Sequence, residues 1–200
     1  MHAAMPIVRL AAHWHDVGKL DERFQLLLHQ GDELALYSAD APLAKSRSIP
    51  ASPERRRAIR EASGLPGNFR HEMLSVQLAE RLASIPDNDD AAALFLHLVA
   101  SHHGHGRPFA PVCPDATPPA VDGTRAATRI VLNARERADL TPPHRIDSGI
   151  PDRFWRLVRR HGWWGLAYLE AVLRLSDWYA SEYIRGDAEN DESEKEEAVA

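Results

Sequence analysis

The run Ala12-His13-Trp14-His15-Asp16-Val17-Gly18-Lys19 constrains this chain more than any other segment. It sets an imidazole and a carboxylate side by side at the end of an apolar helix. That pair is a poor way to build a core, because a buried charge without a partner costs several kcal/mol, of the order ~3 or more. It is a good way to build a metal site. Carboxylate oxygen suits Mg, Mn and Ca, imidazole nitrogen suits Fe, Ni, Co and Zn, and one Asp with two oxygens can bridge two ions. Any fold that uses the pair must bring further ligands to it from a distance. His71, the pair His102-His103 and Asp177 are the candidates.

Each candidate is aimed inward by its neighbours. Leu166, Leu169, Leu173, Asp177, Ala180 and Ile184 recur at three- and four-residue spacing, which places Asp177 within an apolar helical stripe. His71 shares a face with Leu74, Ser75, Leu78 and Leu82. His102-His103 closes the segment that carries Leu94, Leu98 and Ser101, and Gly104 lets the chain turn away. A lone histidine on an apolar face is ordinarily a satisfied core residue, and an Asp such as Asp177 can pair with a buried Arg. The joint occurrence on four separate segments is what favours one shared centre.

The periodicity predicts helices and gives no convincing strand. Ile7, Leu10, Ala11, Trp14, His15 and Gly18 fall on one helical face, and 24–28 continues as a short second helix. Segment 37–68 reads as a surface excursion with one helix over 53–62. Helices are predicted over 69–84, 89–101, 125–138, 152–160 and 163–184. The proline-rich stretch 104–124 reads as a long loop, since Pro cannot sit inside regular elements. The fold class predicted is all-α, a single helical-bundle domain over 1–186 with a long Pro/Gly-rich loop. Two hundred residues are enough for one domain with a sizeable core.

Charge and cysteine usage narrow the class. Net charge is −5, but the segment 187–200 holds seven acidic residues against Lys195, so the body is close to neutral. That segment reads as an acidic, disordered tail. The Arg55-Arg56-Arg57-Arg60 and Arg153-Arg156-Arg159-Arg160 clusters fit solvated helix faces or phosphate contacts. A single cysteine, Cys113, excludes an internal disulfide and a cysteine zinc finger. No run of about 18 apolar residues is present, so no membrane span is expected. With no leader pattern at the N-terminus, the expectation is a cytoplasmic protein.

His15-Asp16-Val17-Gly18-Lys19 with Asp21 and Phe24-Gln25, Arg70-His71-Glu72 with Ser75, Ser101-His102-His103-Gly104, and Asp177-Trp178 with Ser181 stand in one order over 12–181. In this the chain resembles the HD nuclease domain of the CRISPR-associated helicase–nuclease of type I systems, within the HD phosphohydrolase superfamily. The resemblance implies a metal-dependent nuclease that degrades single-stranded DNA in antiviral defence, with two divalent ions (Mg, Mn, Ni, Co or Fe). It implies that Asp16 bridges the ions, that His15 and Asp177 hold one, and that His71, His102 and His103 hold the other. Two ions roughly 3.5–4 Å apart can activate a water and neutralise a phosphodiester. Asp16 and Lys19 are the expected catalytic residues. Lys19 and Arg107 are the expected substrate contacts, although Lys19 equally suits a helix C-terminus. Ser75 and Ser181 are expected to support the ligands. The implied partners are single-stranded DNA, a helicase (fused or separate) and a CRISPR surveillance complex. Family members carry a further ligand histidine upstream of the pair. Here only His2 and His13 precede His15, so the first ion is expected to have the thinner shell. An HD-type nucleotide phosphohydrolase and a catalytically impaired HD module remain the alternatives.

Overall fold

Helix α1 (Met5–Trp14) begins on a proline in its first turn and buries Val8, Ala11 and Trp14. It runs into a 3-10 turn over Val17–Leu20 that continues the apolar face with Val17 and Leu20. The computed structural model describes residues 4–46, 48, 50, 52–125 and 127–197, with side chains described as far as 182. Four short or medium helices follow: α2 (Glu22–Leu28), α3 (Glu33–Tyr37), α4 (Pro53–Ala62) and α5 (His71–Leu82). Ser52 caps α4 by accepting from the Arg55 amide. Helix α6 (Asp89–Ser101) is capped by Asn88, whose side chain accepts from the amides of Asp90 and Ala91. From Ala93 to Ser101 every residue of α6 is buried, so this helix forms the centre of the bundle. Helices α1, α5 and α8 (Ile150–Glu197) pack around it, and the 3-10 turn lies on α5. Phe95, Leu78, Leu98, Leu157 and Leu173 are among the largest side chains that are fully buried.

The architecture is all-α apart from one hairpin, and there the structure corrects the sequence reading. Residues 125–138 were expected as a helix and 104–124 as loop. Instead β1 (Val121–Arg125) pairs antiparallel with β2 (Thr128–Leu132), followed by the short α7 (Ala134–Ala138). The physical reason lies in alternation: Thr128, Ile130 and Leu132 point inward while Arg129 and Val131 are exposed. β-branched residues at period two favour a pleated, half-buried ribbon over a helix. Gly123 lets the ribbon lie close on Leu20, since a Cβ there would stand 2.9 Å from Leu20 Cδ2 and push that side chain aside. The chain reverses between Arg125 and Thr128, with Ala127 at φ 62°.

The helices expected over 152–160 and 163–184 are both present as the two segments of α8, which part at the non-helical Gly162 (φ 71°, ψ 168°). The apolar stripe on α8 leaves the core partway: Leu166, Leu169 and Leu173 are buried, Asp177 is half-buried and Ala180 is exposed. The backbone of the segment read as an acidic tail is helical to Glu197, and 198–200 lie outside the described residues. Among the described residues no helix is long and apolar enough to cross a membrane.

The residues after the 3-10 turn lock it to the rest of the molecule. Asp21, fully buried, caps α2 by accepting from the Arg23 amide and is paired with Arg23 at 2.9 Å and Arg137 at 2.6 Å. Arg23 and Asp115 meet at 2.7 Å, which ties in the Pro-rich segment. Gln25 donates to Lys19 O (2.7 Å) and Leu43 O (3.1 Å) and accepts from the Leu43 amide (2.8 Å). These bonds satisfy the polar groups that a buried Asp and Gln bring into the interior.

Candidate metal centre

Gly18 determines how the centre is assembled. A Cβ on it would lie 2.0 Å from His71 O and 2.8 Å from Ser75 N, so only glycine lets the 3-10 turn rest on the first turn of α5. The Gly18 amide donates to Ser75 Oγ at 2.8 Å. Ser75 therefore touches the Asp16 segment through the Gly18 backbone, one step back from the candidate ligands. This contact sets Asp16, two residues earlier, against His71 at the N-terminus of α5.

The two oxygens of Asp16 face different groups. Oδ1 is 3.1 Å from His71 Nε2 and 3.8 Å from His102 Nε2. Oδ2 is 3.6 Å from His15 Nε2 and accepts from Lys19 Nζ at 2.7 Å and from Arg125 at 2.8 Å. His15 Nε2 in turn lies 3.3 Å from Asp177 Oδ1 on α8. Asp16, His71, His102 and His103 each offer a ligand atom within 4.8 Å of all the others. His103 is the solvent-exposed member of the set.

Hydrogen bonds at the far side of the rings select their protonation. His102 Nδ1 lies 2.8 Å from Val99 O, and His15 Nδ1 lies 2.7 Å from Ala12 O. A carbonyl can only accept, so both Nδ1 atoms carry the proton and each Nε2 is left to accept or ligate. Glu72 Oε2, 3.6 Å from His71 Nδ1, takes the corresponding position behind His71. Phe24 packs on the His71 ring with centroids 5.2 Å apart and limits its rotation.

The electrostatics divide the histidines. Burial, reinforced by the nearby His15 and His103, pushes His102 down to about 2, so it stays neutral. Burial also lowers His103, with His71 adding to the effect. His15 differs: burial opposes its proton, but Asp177 and Asp16 outweigh burial and raise it above its ordinary value. Burial disfavours the Asp16 charge, yet His71, His15 and Lys19 hold the carboxyl well below the usual carboxylate range. The His15 hydrogen bond likewise lowers Asp177.

This donor set fits divalent ions. His71 Nε2 and His102 Nε2 face each other at 3.4 Å, an arrangement that needs a proton or a cation between them. Ligand atoms about 2.1 Å from one ion stand roughly 3.0–3.4 Å apart in octahedral or tetrahedral geometry, close to the 3.1 Å from Asp16 Oδ1 to His71 Nε2 and the 3.4 Å from His71 Nε2 to His102 Nε2. His15 Nε2 is buried without a well-directed hydrogen bond. Three imidazoles, one of them exposed, and a carboxylate suit a first-row transition ion.

The structure thus brings His15, Asp16, Lys19, His71, His102, His103 and Asp177 together, and Ser181 lines the same cleft. Arg107 does not line that cleft; its guanidinium is 3.2 Å from Glu170 Oε2, whose other oxygen is 2.7 Å from the buried His97. His13 bonds Thr128 Oγ1 through Nε2, away from the ligands, and His2 lies outside the described residues. Sequence reasoning missed Arg125 and Lys45 on the cleft wall and gave no role to Trp178, which it quotes beside Asp177. The alternation over 128–132 was a signal for the hairpin that carries Arg125, and adjacency to Asp177 was a signal for Trp178. Nothing in the sequence singled out Lys45.

The family model described as Cas3, HD domain, matches residues 2–184. No curated protein and no solved structure matches the chain.

Proposed function

The chain belongs to the Cas3 HD-domain family, and from that premise we propose that it cleaves phosphodiester bonds of single-stranded DNA at a two-ion centre during CRISPR interference. Membership makes it a metal-dependent hydrolase of the HD type in a CRISPR context. The finer reading rests chiefly on one observation: Asp16 turns Oδ1 toward His71 and His102, and Oδ2 toward His15, which Asp177 meets from α8. On this reading His71, His102, His103 and Asp16 hold one ion, and His15, Asp177 and Asp16 the other. Bound divalent ions supply positive charge that acidifies water and offsets the charge of the attacked phosphate. Lys19 stands at the cleft and provides a fixed cation for a nonbridging phosphate oxygen. His102, neutral and anchored on the Val99 carbonyl, is in the state that binding requires before any ion arrives. Trp178, 57% exposed at the cleft, offers a face on which a nucleobase can stack. A cytoplasmic location, a helicase that feeds the strand and a surveillance complex that recruits it complete the proposal.

The test is to load the full chain with Mn2+, Ni2+ or Mg2+ and offer three substrates: labelled single-stranded oligonucleotide, blunt duplex and free nucleotides. Cleavage of the single strand is expected, with little action on the duplex and rates that fall as salt rises. Rapid hydrolysis of nucleotides without cutting of oligonucleotides would assign a nucleotide phosphohydrolase instead. Metal uptake without hydrolysis of any substrate would assign an impaired module.

The two halves of the centre should also load differently with pH. A ligating imidazole must be neutral. A second proton on His102 is already excluded at any working pH, whereas His15 in the ion-free protein is raised above its ordinary value and takes up a second proton as pH falls. Acidification therefore favours the proton over the ion at His15 first. Metal content after dialysis at stepwise lower pH should fall in two stages, and His15→Gln should remove the earlier one. A single stage, unchanged in that variant, would show that His15 holds no ion.

A further inference from the structure

Arg125 reaches the centre from far along the chain, and the hairpin that carries it is built to deliver it. Val121, Ile130 and Leu132 are buried beneath the ribbon, and Gly123 permits the close approach to Leu20. His13 fastens β2 by a hydrogen bond to Thr128. With its backbone fixed in this way, Arg125 at the end of β1 donates to Asp16 Oδ2 at 2.8 Å. Lys19 Nζ donates to the same oxygen at 2.7 Å. A carboxylate oxygen has two in-plane lone pairs, and here two full positive charges engage both.

This arrangement cannot persist when an ion binds Oδ2. The ion neutralises the carboxylate and repels the neighbouring cations, so one donor must leave. Lys19 sits three residues after Asp16 and has a second anchor on Ala44 O at 3.1 Å. Among the described residues, the side-chain hydrogen bond of Arg125 is the one to Asp16. Its side chain lines the open cleft together with Lys45 and Trp178. A guanidinium released there presents a planar fork that matches two oxygens of a phosphate.

We propose that Arg125 is a metal-gated phosphate arm: it pairs with Asp16 while the His15 side of the centre is empty, and an arriving ion releases it to bind a phosphodiester of single-stranded DNA. The inference rests on the two-ion reading above and adds to it a residue and an order of events, ion before substrate. It also explains why the hairpin interrupts an otherwise helical chain.

The experiment uses the metal-stripped full chain with Arg125→Gln and Arg125→Lys. Calorimetry with Mn2+ should show the weaker ion bound several-fold more tightly in Arg125→Gln, because a competitor for Oδ2 has gone. Anisotropy of a labelled single-stranded oligonucleotide, read in the first seconds before cleavage, should show the opposite sign. The Mn2+-loaded Gln variant should bind about five- to tenfold more weakly, with the slope of log affinity against log salt reduced by about 0.7. Without Mn2+ the wild type and the Gln variant should bind the oligonucleotide alike. Arg125→Lys should keep the salt slope and lose part of the affinity, and it carries the comparison if the Gln variant melts early. Unchanged or weakened Mn2+ binding, or an equal loss of DNA affinity with and without Mn2+, overturns the gating alone, provided the wild type binds both. A wild type that takes up neither Mn2+ nor DNA overturns the underlying two-ion reading as well.

Discussion

Asp16→Ala is expected to abolish hydrolysis, with a loss of about 10⁴-fold or more, equivalent to roughly 5 kcal/mol of transition-state stabilisation. No other side chain in the proposed centre serves both ions. Its removal takes a ligand from each, leaves His71 and His102 facing each other without the carboxylate, and leaves Lys19 and Arg125 as neighbouring cations without a partner. Metal content measured after gel filtration should fall in parallel. Asp16→Asn separates shape from charge: it fills the same space but cannot carry the negative charge that both ions need. The fold should survive, because Gly18 and Ser75, rather than Asp16, hold the turn to α5. A variant that retains half its metal and a tenth of its rate would remove Asp16 from the bridging role.

Gly18→Ala should produce the largest loss of stability of any single methyl added near the centre. The new Cβ would meet His71 O at 2.0 Å, and neither backbone can move aside cheaply because both are buried. Interiors at crystal-like density do not absorb such a shift, so a cost of about 3 kcal/mol or more is expected. For a domain of this size that corresponds to a melting temperature lower by roughly 6–12 °C. The displacement also draws Asp16 away from His71, so metal affinity should fall with stability. Gly67→Ala is the control: nothing stands within 4 Å of a Cβ there, and it should melt like the wild type. If Gly18→Ala also melts like the wild type and holds the same metal, the close packing of turn on helix is not what assembles the centre.

The placement of the candidate ligands was readable because their chemistry and their spacing agree. His71, His102 and Asp177 each continue an apolar face at helical intervals, and that places them on the inner side of a bundle before any contact is known. The ends of α4 and α6 were readable for local reasons, Ser52 before Pro53 and Asn88 before two acidic residues. Arg125 was not readable. Its position depends on a reversal in which Ala127, a residue that does not advertise positive φ, adopts it, and on Gly123 packing against a residue about a hundred positions earlier. Arg107 misled for the opposite reason. An arginine beside the His pair looks like a phosphate contact, but its choice of Glu170 is decided by α8, which its own neighbourhood does not describe. The stripe on α8 was periodic to its end, yet periodicity says nothing about where the facing helices stop, and Ala180 lies beyond them.

His15 at the end of α1 and Asp177 on α8 meet at 3.3 Å although more than 160 residues of chain separate them. On the two-ion proposal, an ion shared there, with His71 and His102 drawn in through Asp16, would act as a removable cross-link between α1 and α8. Closing so long a loop is entropically costly for the unfolded chain, which cannot present these ligands together. The native form is then stabilised by mass action, by about 2.7 kcal/mol when free ion stands at a hundred times its dissociation constant. Resistance to heat and to proteases would thus become a property of the surrounding ion concentration as well as of the amino-acid sequence. A chelator would loosen the molecule first where its beginning and its end are clasped.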